Sequence, residues 1–263
     1  MPTTPPQFLL LEGSLRDLRE GSVVELRGDE GRHAAKVARI GTGEQVLLTD
    51  ADGSQVRCQV EATGKEHLQL RLLSDPSEPL RRRPRLALVQ ALATGGRDEQ
   101  AVEAATELGV DRVTPWIADR SVSVWKGEKL AKGRAKWRAT VHAAVKQCRR
   151  PGIPAVDEAL TSRALAEEIA ARVSDGGVVL VLHEQESARI STVLPQLRER
   201  VDAADLPEVT VVVGPEGGIT EDELTAFREA GSRSVLLGPE VLRSSTAGPA
   251  AIAALSLALG RWD

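Results

Sequence analysis

Three short apolar runs in the second part of the chain constrain its fold more than any other feature. Residues 86–91, 177–182 and 209–213 are almost free of polar side chains. Such runs are typical of parallel strands that helices cover on both faces, because a strand with one solvated face would alternate. Segments with helical spacing lie between the runs, as at 98–108. We therefore predict an α/β domain with a parallel sheet over residues 84–263.

The first part of the chain follows a different pattern. Short runs in which apolar and polar residues alternate recur there, at 23–26, 45–48, 55–60 and 67–72. Asp52-Gly53, between two of these runs, is typical of a hairpin turn. Regular short strands in so few residues predict a small β-barrel over residues 1–74. Residues 75–83, which are rich in proline and charge, are predicted to be the linker to the α/β domain.

A glycine-rich segment, residues 214–220, follows the apolar run at 209–213 directly. It leads into Thr220-Glu221-Asp222-Glu223, which has the Ser/Thr-x-x-Glu pattern of a capping box at a helix start. Open α/β sheets bind ligands at this end of a strand, so we expect a ligand here. The segment lacks the lysine of a phosphate-binding loop, and its carboxylates would repel a phosphate. Backbone close to the Glu216 carboxylate suits ribose hydroxyls or a cationic sulfonium, but a tight turn would need the same glycines.

A second glycine-containing loop, residues 236–247, precedes a very apolar helix. No charged residue lies between Arg243 and Arg261, so this helix must be buried nearly all round, in the core or in a subunit interface. Thr246 is predicted to be its N-cap, which places Pro249 in the first turn, where proline is tolerated. Arg243 is then either a helix-end ion-pair partner or a functional cation.

Charge is distributed unevenly along the chain. Residues 76–153 carry 16 Lys/Arg against 8 Asp/Glu, whereas the net charge is −3 over residues 1–75 and −9 over residues 154–263. The densest basic segment is Arg81-Arg82-Arg83-Pro84-Arg85. A basic middle between acidic ends indicates a polyanion-binding surface. A solvated charged face is the alternative.

Several classes of protein are not expected. Cys58 and Cys148 lie far apart, and no His/Cys/Asp cluster has the spacing of a zinc site, so no metal is expected. The segment 182–186 contains a single histidine, which beside a strand end is more often structural than catalytic. The start of the chain lacks the pattern of a secretory signal, and no apolar stretch is long enough to cross a membrane. These features predict a cytoplasmic location.

The two glycine loops, taken together, resemble those of a known family. Residues 214–219 and 237–243, with Thr246-Ala247, are similar to motifs of the SPOUT methyltransferases, and more specifically of the 16S ribosomal RNA uridine-N3 methyltransferases. Other segments match motifs of the same family, namely 105–110 with Thr114-Pro115, Arg120-Ser121, 147–150 with Pro154, and His33 with 36–39. The resemblance covers nearly the whole chain. This sequence departs from the family pattern at Thr94, Ala104 and Gly248-Pro249.

The resemblance implies a PUA-like β-barrel followed by a SPOUT α/β domain with a deep trefoil knot. It also implies methyl transfer from S-adenosylmethionine to N3 of a uridine in 16S ribosomal RNA. The RNA would be bound free or in a small-subunit assembly particle, and the enzyme would be a homodimer that needs neither a metal nor a membrane.

The resemblance further implies roles for individual residues. Cofactor contacts are expected from three loops, through Leu182, His183, Glu184, Gly214, Glu216, Gly217, Gly218, Ile219, Leu237, Gly238, Leu242, Arg243, Ser245, Thr246 and Ala247. Together with the basic segments, it predicts RNA contacts from Arg32, Lys36, Arg39, Arg81, Arg82, Arg83, Arg85, Arg97, Arg120 and Arg149. Arg243 is the expected catalytic residue, because a cation beside the cofactor loops can stabilise negative charge on the uracil ring.

Two other functions fit the same motifs. One is a SPOUT enzyme that methylates the ribose 2′-OH of RNA. The other is an RNA-binding ribosome-assembly protein without catalysis. The first would differ in its product, and the second would not bind S-adenosylmethionine.

Overall fold

The computed structural model describes residues 5–79, 82–203 and 207–262. The chain forms two compact units. The first comprises Met1–Arg81 together with Val145–Ile153, and the second comprises Arg82–Ala144 together with Pro154–Asp263. The sequence predicted a single boundary at residues 75–83 and therefore assigned residues 145–153 to the second unit. In the structure these residues belong to the first unit.

The first unit is built on a curled, five-stranded mixed sheet. Its strands are β1 (Gln7–Leu10), β2 (Val23–Leu26), β3 (Gln45–Asp50), β4 (Gln55–Thr63) and β5 (Leu68–Leu72). Their order across the sheet is β1-β3-β4-β5-β2, with β1 parallel to β3 and the other pairs antiparallel. A short helix, α1 (Gly28–Arg32), continues into a π-helical turn at His33–Val37. The four predicted strands are all present, and β1 is an additional one.

The core of the first unit follows from the alternation in β4 and β5. Val56, Cys58 and Val60 are buried on β4, and the alternate leucines of β5 are buried opposite them. Burial raises the pKa of the Cys58 thiol to about 12, so this side chain acts as a small apolar group. The strand β1 is buried at all four positions, which is why it shows no alternation in the sequence.

The second unit alternates strands and helices. Its elements are β6 (Arg85–Ala91), α2 (Arg97–Glu107), β7 (Arg112–Ile117), α3 (Glu128–Cys148), β8 (Ala155–Val156), β9 (Leu160–Thr161), α4 (Ser162–Ser174), β10 (Val178–Leu182), α5 (Ile190–Ala203), β11 (Glu208–Val213), α6 (Glu221–Glu229), β12 (Arg233–Val235) and α7 (Ser244–Ala258). The helix α3 ends in the first unit, because that unit includes its residues from Val145 onward.

The strands of the second unit form one parallel sheet, as the apolar runs predicted. Their order is β12-β10-β11-β6-β7-β8, with β9 paired to the end of β7. Helices α4 and α6 pack on one face through a core that includes Val179, Val212 and Phe227. Helices α2 and α7 pack against each other and on β6. Because every strand points the same way, all the carboxyl ends lie at one edge of the sheet.

The predicted start of α7 was wrong by three residues. The N-cap is Arg243, whose extended backbone (φ −65°, ψ 152°) precedes helical residues from Ser244 onward. The Arg243 carbonyl oxygen accepts the N–H groups of Thr246 and Ala247 at 2.8 and 3.0 Å. Pro249 therefore lies in the second turn instead of the first. The cost is one intrahelical hydrogen bond, which the Ser245 carbonyl oxygen would otherwise accept.

Helix α7 is buried on one side only. Ile252 and Leu255 are fully buried, whereas Leu257 is 68% exposed and Ala254 is also exposed. The chain by itself therefore leaves part of this uncharged helix uncovered.

The residues after α7 are fixed by a buried arginine. The Arg261 side chain is 1% exposed, and it donates to the Asp111 carboxylate at 2.7 Å and to the Gly109 carbonyl oxygen at 2.6 Å. It also donates to the Pro84 carbonyl oxygen. A buried guanidinium is tolerated only when its donors are satisfied in this way. This set of bonds joins the end of the chain to the amino ends of β6 and β7.

Candidate functional site

A cleft of about 660 Å³ lies at the carboxyl edge of the parallel sheet. It is lined by three loops, which follow β10, β11 and β12 respectively: residues 182–185, 213–219 and 236–244. Arg97, Arg120, Glu221 and Ala247 complete the lining. The cleft thus lies where the sequence predicted a ligand.

The glycines of the loop after β11 are required by close contacts. A Cβ atom on Gly214 would lie 2.6 Å from the Ile219 side chain, and one on Gly217 would lie 2.8 Å from the Arg120 carbonyl oxygen. Gly218 has φ +77°, a conformation that other residues rarely adopt. The loop therefore presents bare backbone to the cleft and packs directly against the segment after β7.

The predicted capping box opens α6. The Thr220 hydroxyl accepts the Glu223 N–H at 3.2 Å, and the Glu223 carboxylate accepts the Thr220 N–H at 2.8 Å. Glu223 is only 3% exposed, and it also accepts the Asp119 N–H at 2.9 Å and the Ser162 hydroxyl at 2.6 Å. The Glu223 carboxylate thus satisfies donors from Thr220, Asp119 and Ser162. Glu223 therefore holds the glycine loop in place and is not available to a ligand.

Glu216 makes contacts that the sequence did not predict. Its Oε1 atom accepts the Thr94 N–H and the Thr94 hydroxyl, each at 3.1 Å, and Arg97 Nη1 at 2.8 Å. Burial raises the pKa of Glu216, but hydrogen bonds from its own backbone N–H, from Arg97 and from Thr94 outweigh this effect and hold the pKa below its usual value. The carboxylate is therefore ionised and fixed on one side.

The other two loops of the cleft are also anchored. The His183 N–H donates to the Val235 carbonyl oxygen at 3.0 Å, and Glu186 pairs with Arg228 at 2.5 Å. The loop after β12 exposes Val241 and the Arg243 side chain. Within the described residues, no carboxylate lies within ion-pair distance of Arg243 or Arg120. Both cations are therefore available to an anionic ligand.

The structure brings together most of the residues for which cofactor contacts were predicted. Those that line the cleft are Leu182, His183, Glu184, Gly214, Glu216, Gly217, Gly218, Ile219, Leu237, Gly238, Leu242, Arg243 and Ala247. Ser245 and Thr246, in the first turn of α7, are not among the lining residues, whereas Ser244 is. The early start of α7 explains this difference, since it places Ser244 at the first helical position.

The predicted RNA-contact residues are dispersed. Arg97 and Arg120 line the cleft. Arg82, Arg83 and Arg85 lie at the amino end of β6, the opposite edge of the sheet from the cleft. Arg81 lies outside the described residues.

The remaining predicted RNA-contact residues belong to the first unit. Arg32 pairs with Asp29, and Lys36 pairs with Glu66 at 2.7 Å. Arg39 and Arg149 are both exposed and have positive φ values of 53° and 54°.

The described residues show neither a metal-binding cluster nor a membrane-spanning helix. They contain no group of three or more His, Cys, Asp or Glu side chains that could hold a metal ion. None of the described helices is both long and apolar enough to cross a bilayer.

Comparison with known proteins identifies the family. A model for an RNA methyltransferase domain matches residues 81–256, and one for an RNA methyltransferase PUA domain matches residues 26–73. Ribosomal RNA small subunit methyltransferase E of Mycobacterium bovis is 44% identical over 92% of this chain and 89% of its own length. The enzyme of the same name from Bacillus subtilis is 25% identical over 95% of this chain and 96% of its own length.

Solved structures agree over almost the whole chain. Ribosomal RNA small subunit methyltransferase E from Neisseria gonorrhoeae, bound to S-adenosylmethionine, has a TM-score of 0.80 at 26% identity, covering 96% of this chain and 97% of its own. A Legionella pneumophila protein with bound S-adenosylmethionine also has a TM-score of 0.80, at 27% identity, covering 97% of this chain and 98% of its own. This chain therefore belongs to the RNA methyltransferase family that includes the ribosomal RNA small subunit methyltransferases E.

Proposed function

We propose that this protein transfers the methyl group of S-adenosylmethionine to N3 of a uridine in 16S ribosomal RNA. The observation that carries the proposal is the cleft itself, which three loops form at the carboxyl edge of the sheet. The family and its relatives with bound S-adenosylmethionine support the cofactor. The substrate would be met in the cytoplasm, as free RNA or as a small-subunit assembly particle.

The residues of the cleft suit this cofactor. Its volume of about 660 Å³ lies within the range of small-molecule sites. Bare backbone at Gly217 and Gly218 allows close approach of a planar base or a ribose. The carboxylates of Glu184, Glu216, Glu221 and Glu240 also line the cleft, and they favour a cationic ligand.

The chemistry requires orientation and the loss of one proton from the uridine. When bound, S-adenosylmethionine supplies a methyl group activated by a sulfonium. Arg243, at the edge of the cleft, is proposed to stabilise the negative charge that develops on the uracil ring as N3 loses its proton. Glu216 is not proposed as the proton acceptor, because its hydrogen bonds to Arg97 and Thr94 hold its pKa below its usual value and make it a weak base.

We further propose that the enzyme is a homodimer with a trefoil-knotted second unit. After β12, at one edge of the sheet, the chain returns across it, and α7 packs on β6 and β11. The segment between β10 and α5 pairs with this return at Arg189 and Leu236. Both features are compatible with a threaded C-terminus. The uncovered side of α7 supports a second subunit there.

Replacement of Gly217 by valine should abolish cofactor binding. The new side chain would collide with the Arg120 backbone and displace the loop from the cleft. We expect S-adenosylmethionine affinity, measured by calorimetry, to fall more than about tenfold, or ~1.4 kcal/mol. Gly41→Ala is the control, since its Cβ would meet only a Glu44 side chain at 3.8 Å. Unchanged affinity in a folded Gly217→Val protein would refute the proposed site.

Replacement of Arg243 by alanine should lower turnover while RNA affinity is retained. Loss of one donor to developing negative charge typically costs about 100-fold in rate. Single-turnover methylation of 16S RNA measures the rate, and mass spectrometry of a nuclease digest identifies the product. Arg163→Ala, at an exposed arginine of α4, is the control. A 2′-O-methylated product would contradict N3 methylation, and a wild-type rate in Arg243→Ala would exclude the proposed role.

Removal of basic side chains that contact phosphate should flatten the salt dependence of RNA binding. Arg39→Gln and Arg85→Gln each remove an exposed arginine from the predicted RNA surface. Each should reduce the slope of log K against log salt by roughly 0.7, without changing the methylated uridine. Arg163→Gln serves as the charge-matched control. Unchanged slopes in both variants would mean that these arginines form a solvated surface only.

The dimer should be measurable by light scattering at low micromolar concentration. We expect about twice the chain mass of 28.1 kDa. Leu257→Lys, on the uncovered side of α7, should weaken association because a charge would enter the apolar interface. Val122→Lys, at a valine that is 78% exposed, should not. A purely monomeric wild type would rule out the dimer.

A further inference from the structure

We propose that Thr94 and Arg97 are positioning residues that assign Glu216 to the ribose hydroxyls of the cofactor and not to its sulfonium. The inference rests on the proposed function of the cleft. The sequence left both partners open for this carboxylate, and it predicted RNA contact for Arg97. The contacts within the second unit favour one partner over the other.

The turn before α2 brings both donors to the same carboxylate oxygen. Gly95 and Gly96 both have positive φ, at 62° and 75°, which bends the chain sharply between Thr94 and Arg97. Arg97 Nη1 donates to the Thr94 hydroxyl at 3.1 Å as well as to Glu216 Oε1 at 2.8 Å. The Thr94 hydroxyl in turn donates its own proton to Glu216 Oε1. Each hydroxyl has one proton and two acceptor lone pairs, so this chain of bonds is self-consistent.

The second oxygen of Glu216 accepts no hydrogen bond from another described residue. Thr94 and Arg97 donate to Oε1 alone, and Glu216 lines the cleft. Since Oε1 is fixed by three donors, the orientation of Oε2 is fixed as well. A pre-oriented, ionised acceptor is well suited to a hydroxyl donor, because charge-assisted hydrogen bonds are short and directional.

The ion pair makes Glu216 a poor partner for a cation. Arg97 lies 2.8 Å from the carboxylate, and its positive charge offsets much of the attraction that a sulfonium would feel. Glu184, Glu221 and Glu240 also line the cleft, and within the described residues none of them has a basic partner at ion-pair distance. These three carboxylates can provide attraction for the cationic end of the cofactor. Glu216 is distinguished from them by its hydrogen-bond geometry.

Thr94 gives the carboxylate two of its three hydrogen bonds from other residues. Threonine supplies both a short hydroxyl donor and a backbone N–H to the carboxylate. Glu99 does not compete for Arg97, because it pairs with Lys136 at 2.5 Å.

The test compares two ligands that differ only at sulfur. Affinities for S-adenosylmethionine, which carries the sulfonium, and for S-adenosylhomocysteine, which has a neutral thioether, are measured by calorimetry. Glu216→Gln should weaken both by a similar factor, about tenfold or more, which is typical of a hydrogen bond to a charged group. The same substitution is then tested with the 2′-deoxy and 3′-deoxy forms of S-adenosylhomocysteine. The loss of affinity caused by Glu216→Gln should be smaller than for the parent ligand in the form that lacks the bonded hydroxyl.

The positioning residues are tested in the same assay. Thr94→Val removes the hydroxyl but keeps the shape and the N–H, so it should weaken both ligands several-fold, and Thr94→Ser should restore binding. Arg97→Ala should also weaken the binding of both ligands. In the Glu216→Gln background it should cause little further loss of affinity, because Arg97 acts through that carboxylate. Thermal unfolding of each variant verifies that it is folded.

Three results would overturn the proposal. A loss confined to S-adenosylmethionine would assign Glu216 to the sulfonium. Weaker RNA binding in Arg97→Ala, with both small ligands bound as in the wild type, would make Arg97 an RNA contact. Equal penalties for the parent ligand and for both deoxy forms would exclude the ribose. These results would leave the methyltransferase proposal standing, whereas a wild type that binds neither ligand would refute both.

Discussion

The pairing of β6 with β11 is the constraint on which the rest of the second unit depends. The two strands are parallel neighbours, in register from Arg85 opposite Glu208 to Gln90 opposite Val213. Because they end at the same edge, the turn after β6 lies beside the glycine loop after β11. Arg97 and Glu216 are 119 residues apart in the chain. Thr94 and Arg97 can reach Glu216 only because this register places the two loops side by side. The cleft is thus a consequence of strand order.

Two carboxylates of one short segment have different environments. Glu223 is buried and accepts bonds from two other segments, at Asp119 and Ser162, as well as from Thr220, so it stabilises the loop. Glu216 lies at the cleft, with Oε1 held by Thr94 and Arg97 and no other residue bonded to Oε2 among those described. Burial and partners, which depend on the tertiary structure, separate a structural acid from a ligand-binding one. The glycines between β11 and α6 allow both environments, because they let the loop pack directly against the segment after β7.

The arginines of the basic middle lie at both edges of the parallel sheet. Arg83 and Arg85 lie at the amino edge of the parallel sheet, whereas Arg97 and Arg120 line the cleft at the carboxyl edge. A strand of seven residues separates the two edges by about 20 Å. Arg97 is further distinguished because its charge is paired with Glu216. Proximity in sequence therefore does not place these cations at the same edge of the sheet.

The sequence alone determined the features that depend on local periodicity. Alternating runs predicted β2 to β5, continuous apolar runs predicted the parallel sheet, and Thr220 with Glu223 predicted a capping box. Only the tertiary structure decided the rest. Strand β1 is buried on both faces and therefore shows no alternation in the sequence. Helix α7 begins at Ser244, because its N-cap with extended backbone is Arg243 and not the predicted Thr246. The pairing of Arg97 with Glu216 joins residues far apart in the chain, and such contacts are set by strand order and register, which a local pattern does not contain.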